Sequence, residues 1–143
     1  MTPTPAKLGA EVVDQCRALG FVAAGISPPA PIDHAEELLN WLAQGKNGSM
    51  DWIGNHVAHR IDPRGLMTGC RSMIVVADLY ATRGDADLAP PAGAGRIARY
   101  ARGKDYHRTV KVRLKKLTRA LDAAWPGHRF RAMVDVMPIH ERE

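Results

Sequence analysis

Cysteine is nearly missing from this 143-residue chain: Cys16 and Cys70 are the only two, and no C-x-x-C pair occurs. Two thiols build neither a disulfide framework nor a four-cysteine metal site. Long apolar runs are missing as well, and the longest, around Met73 to Ala77, is far too short to cross a bilayer. The opening Met1-Thr-Pro-Thr-Pro5 lacks the basic start and apolar stretch of a secretory leader, so a cytoplasmic protein is expected. There is no G-x-G-x-x-G, no P-loop and no poised lysine motif, which leaves little support for a nucleotide or pyridoxal enzyme. What remains is ordinary globular material, 45% apolar and 24% charged. Its length suits a single domain over residues 1–143 that buries about two-thirds of its unfolded surface.

Charge is plentiful but unevenly placed. The net charge is +5, yet residues 96–119 hold ten basic side chains and one acid, Asp105. That window is +9 and the remainder is −4. Within it, Val110, Leu114, Leu117, Leu121 and Ala124 recur at helical spacing, predicting a helix opened by Asp105 as its N-cap. A second stripe on another face, Arg108, Lys111, Lys115 and Arg119, offers a row of cations. Such a row suits a phosphate backbone, because each neutralised phosphate releases counterions; it also suits a plain solvated face.

Elsewhere the periodicity predicts a helix over 6–19, a strand over Phe21 to Ser27 and a helix opened by an Asp33/Glu36 capping box. A further helix is expected from Ser49 to about His59, a strand over Arg71 to Ala77 and a surface loop over 82–95. Arg96 to Ala101 and Arg129 to Val136 read as two more strands. The order implies an α/β (α+β) single domain, a mixed β-sheet layered with helices.

Three groups of residues carry chemical promise. Tyr100, Tyr106 and His107, beside Asp105, are planar groups able to stack on a ring or to hydrogen-bond a ligand; singly they also suit a core or a cap. His56 and His59 stand three apart, the spacing of a metal pair, but no third ligand follows at helical spacing. Asp135 closes an apolar strand, a setting that raises a carboxyl pKa and suits a general acid, or else a residue bonding the local backbone.

Ala43-Gln-Gly45 with Gly48-Ser-Met50, then His59-Arg-Ile-Asp-Pro63, resembles the early part of epoxyqueuosine reductase. Leu66 with Gly69-Cys-Arg-Ser72-Met-Ile-Val75 continues the resemblance, followed by Arg99-Tyr-Ala101 with Gly103-Lys-Asp-Tyr-His107. Val134-Asp135-x-x-Pro138-x-x-Glu141-Arg142 completes an ordered set running from about Leu19 to the last residue. The resemblance implies cobalamin-dependent reduction of epoxyqueuosine to queuosine in tRNA, with two 4Fe–4S clusters serving the cofactor. Carried over, Asp135 is the general acid that protonates the departing epoxide oxygen. Arg60, Tyr100, Asp105 and His107 fall on positions expected to line the cobalamin or substrate pocket. Arg108, Lys111, Lys115 and Arg119 then face tRNA phosphates.

The chain departs from that family in ways that matter. Family members are longer, and their ferredoxin-like domain carries C-x-x-C-x-x-C-x-x-x-C-P twice; none of those cysteines is present here. Clusters held by thiolates cannot be bound by this sequence. Val136 stands where a small polar residue usually follows the acid, and Met137 and His140 are also unusual. The expectation is a fragment, a split gene product that needs a separate iron–sulfur chain, or a truncated relic. The alternative is a non-catalytic tRNA- or polyanion-binding module using the 96–119 segment.

Overall fold

A computed structural model describes residues 4–80 and 92–134. The protein is mixed α/β, with helices and a two-stranded antiparallel sheet among the described residues. The described chain divides into two compact units, one made of residues 4–25, 75–80 and 92–134, the other of residues 26–74.

In the first unit, Thr4 caps helix α1 (Pro5–Ala18) by accepting from the Lys7 N–H at 3.4 Å, and Pro5 occupies the first helical position. Proline suits that place because its missing N–H would have no partner there. The helix ends at Gly20, whose φ of +88° only glycine takes without strain. The Phe21 N–H turns back to Cys16 O at 3.2 Å, placing the Phe21 ring in the core rather than in a strand. Strand β1 (Ala23–Ser27) therefore starts two residues later than the sequence predicts, and pairs with β2 (Met73–Ala77). The Val22 N–H meets Ala77 O at 3.1 Å at one end of that pair.

Helix α4 (Tyr106–Ala124) is the longest element, and its Leu114, Leu117 and Leu121 are buried with Val12, Cys16 and Phe21. At about 25 cal/mol per Å² of apolar surface, each such leucine stabilises the fold by roughly 1.5–3 kcal/mol before entropy is counted. Residues 96–101 do not form the expected strand. A 3₁₀ turn covers Arg99–Ala101, and the Arg102 guanidinium closes the approach to it by donating to Ile97 O at 3.0 and 2.8 Å. Residues 129–134 are likewise not a strand; 135 and 136 lie outside the described residues, as does most of the expected 82–95 loop.

The second unit holds α2 (Ala35–Ala43), α3 (Val57–Ile61) and two 3₁₀ turns, Asp51–Ile53 and Pro63–Leu66. The Asp33/Glu36 capping box is not made: α2 begins after His34, which gives no side-chain cap bond. The helix expected over Ser49–His59 is broken. Gly54 ends the first turn, and His56 then sits at φ 57°, a left-handed conformation that an α-helix does not contain. Asp62 caps the last turn by accepting the Arg64 N–H at 3.0 Å and holds the Arg64 guanidinium in a fork at 2.6–3.0 Å. That fork keeps the Asp62 carboxyl below its ordinary pKa.

Candidate functional site

The start of α4 is built around one carboxylate oxygen. Asp105 Oδ1 accepts the His107 N–H at 2.9 Å and lies 2.8 Å from His107 Nδ1. An ionised carboxylate only accepts, so Nδ1 carries the proton in this contact. The His107 side-chain bond, then the backbone bond, hold the Asp105 carboxyl below the usual carboxylate range. The His107 ring stacks on Tyr106, centroids 4.2 Å apart and planes 25° apart. Tyr106 meets Tyr100 edge-on at 6.3 Å, and Tyr100 meets Tyr80 edge-on at 6.4 Å. Offset and edge-on contacts are the arrangements that ring quadrupoles favour.

Tyr80 and Tyr100 remain 67% and 56% exposed, so their rings present free surface to a ligand. They line an open groove of about 340 Å³ with Arg96, Ile97, Ala98, Arg99 and Arg102. The lining combines flat and apolar surface with three cations and no acid, which suits a large planar ligand bearing amide or phosphate groups at its edge.

Of the residues singled out in the sequence, Tyr100, Asp105 and His107 thus form one connected cluster. Arg108, Lys111, Lys115 and Arg119 are all exposed on α4, on the side away from Leu114, Leu117 and Leu121. Their row is about 16 Å long at 1.5 Å per residue. Arg60 belongs to the second unit, on α3, with its guanidinium 5.8 Å from the Trp52 ring centroid and its Nε buried without a partner. His56 and His59 stack at 6.0 Å, and the described residues contain no group of three metal-ligating side chains. Asp135 lies outside the described residues.

Sequence reasoning missed Arg113, counting it only as one of ten cations. Its guanidinium sits 4.6 Å over the Phe21 ring, donates to Gly20 O at 3.1 Å and forms an ion pair with Asp78. A signal existed: position 113 is three after Val110 and four before Leu117, so the spacing that defines the apolar stripe includes it.

This combination defines an α/β protein with an open groove of rings and cations beside a cationic helix. A family model described as epoxyqueuosine reductase QueG, DUF1730, matches residues 60–136, and the chain belongs to that family. An epoxyqueuosine reductase of Gloeobacter violaceus is 40% identical over 99% of this chain and 42% of the relative. One from Pseudomonas aeruginosa is 36% identical over 98% of this chain and 39% of its own length. The chain thus spans about 40% of the curated relatives it matches. Among solved structures, an epoxyqueuosine reductase crystallised with a tRNA-Tyr epoxyqueuosine-modified stem loop has a TM-score of 0.72 at 21% identity, over 96% of this chain and 36% of that one. A selenomethionine-labelled epoxyqueuosine reductase gives 0.76 at 22%, over 96% and 37%. These likenesses establish the fold.

Proposed function

We propose that this chain is the N-terminal, cofactor-facing part of an epoxyqueuosine reductase, acting in the reduction of epoxyqueuosine to queuosine in tRNA. One observation carries the reading: the family motif R-Y-A-x-G-x-D-Y-H falls on a single cluster, Tyr100 with Tyr106, Asp105 and His107, at the start of α4. Cobalamin fits the residues present, since a large flat ring with amide and phosphate groups matches exposed tyrosines and Ile97 among arginines. When bound, it supplies electrons to the substrate.

The chain's own residues do the rest of what is assigned to this part. Tyr100 offers a ring face, and Asp105 fixes the orientation of the His107 ring beside it. Removing an epoxide oxygen as water takes up two electrons and two protons; Asp135 delivers one proton at that oxygen and solvent the other. Protonation makes water, rather than hydroxide, the leaving group. Cluster thiolates come from sequence other than this chain's two cysteines, Cys16 being buried. A second reading, a module that binds tRNA or another polyanion, is favoured by the exposed cationic row of α4.

The test of the first reading is an anaerobic titration of cob(II)alamin followed by absorption. The protein is expected to perturb the spectrum, Tyr100→Ala and His107→Ala to weaken the change, and Asp135→Asn to leave it intact. A spectrum unchanged at excess protein overturns the cofactor assignment.

A further inference from the structure

Tyr80, Tyr100 and Tyr106 are all the tyrosines this chain has, and they form one ladder. One end of the ladder is fixed by α4 itself, through Tyr106, His107 and the Asp105 cap. The other end is Tyr80, which core packing does not hold, because Leu79 and Tyr80 are 73% and 67% exposed. Two residues before Tyr80 stands Asp78. Its Oδ1 accepts the Leu79 N–H at 2.9 Å and its Oδ2 pairs with Arg113, in the middle of α4. The contacts therefore close a ring that leaves α4 at Tyr106, passes through Tyr100 and Tyr80, and returns to α4 at Arg113.

Arg113 is well suited to anchor that return. Only 18% of its side chain is exposed, the Phe21 ring lies under it, and Gly20 O takes a second guanidinium nitrogen. A largely buried cation is costly to leave without its partners, so the guanidinium is committed to Asp78. Among the described residues, the Asp78 tether and the Tyr100 ring contact are what orient Tyr80.

Resting on the reading of Tyr100, Asp105 and His107 as a ligand site, we infer that the Arg113–Asp78 ion pair is a positioning pair: it sets Tyr80 against Tyr100 and so fixes the ring surface offered to the ligand. Neither residue touches the ligand. Their effect passes through the ladder.

The test uses the chain labelled with 3-fluorotyrosine, whose three fluorine NMR signals are assigned by single Tyr→Phe variants. Asp78→Asn and Arg113→Lys are expected to shift the Tyr80 and Tyr100 signals, and Asp78→Glu, which keeps the charge, to return them most of the way. Lys116→Ala, on the solvent side of α4, is expected to move none. Leu117→Val, which thins the core, is expected to lower Tm without moving Tyr80. In the cob(II)alamin titration, Asp78→Asn is expected to weaken binding by about two- to thirtyfold. The inference is overturned if both pair variants keep helical circular dichroism and leave all three signals in place, or if Leu117→Val moves them equally. If Arg113→Lys fails to fold, Asp78→Asn against Asp78→Glu decides. Should the unsubstituted protein not perturb the cobalamin spectrum, the cofactor reading fails while the fluorine signals still decide the positioning pair.

Discussion

Asp105 Oδ1 receives both the N–H that begins α4 and the ring of His107, so helix start and ring orientation depend on the same charge. This gives the site an acid-side pH dependence of definite sign. The folded-state pKa of Asp105 is depressed, chiefly by the His107 side-chain bond. Its stabilising contribution is therefore complete above the unfolded carboxyl value of about 3.9, and is lost as pH falls through the lower folded value. Thermal melts of the unsubstituted protein and Asp105→Asn are expected to differ at about pH 5 and to converge as pH falls below about 4. A difference that persists undiminished well below pH 4 would contradict the assignment. Asp105 was legible in the sequence because an N-cap acts within two residues. The stacking of His107 on Tyr106 was not, since it depends on rotamers rather than spacing.

Helix α4 shows what a single element can encode by periodicity. Its buried leucines and its cationic row fall on different faces, as the sequence predicts. If the row meets RNA phosphates, each cation lost should lower the slope of log affinity against log salt by roughly 0.7–0.9. Lys111→Glu, Lys115→Glu and Arg119→Glu together are expected to collapse tRNA binding in filter or fluorescence titrations. Affinity that does not respond to salt would count against the row. The short segments were less legible. The stretch 49–59 has helical spacing, yet His56 in a left-handed conformation divides it. The alternation over 96–101 is too brief to outweigh the Arg102 bonds that curl it into a turn.

At the scale of the molecule, the two compact units differ in how much they bury. The first contains Val12, Cys16, Phe21, Leu114, Leu117 and Leu121; in the second, Ile32 and Pro63 are the buried residues among those described. Local opening follows apolar burial, so native-state hydrogen exchange is expected to be slowest in α4 near Leu114–Leu121 and faster in α2 and α3. Amides of 35–43 exchanging as slowly as those of 114–121 would overturn this ordering. No helix among the described residues is long and apolar enough to cross a membrane.

The sequence by itself determined α1, α4, the core of β2, the α4 cap and the separation of the +9 segment from the −4 remainder. All of these rest on interactions between residues a few positions apart, which spacing records directly. Tertiary structure alone decided what Arg113 is for. Its partners Asp78 and Gly20 lie 35 and 93 positions away, so its role arises only when the chain returns and a cation must be satisfied inside the fold. The same distance hid the tyrosine ladder, whose Tyr80 reaches Tyr100 through space and not through sequence.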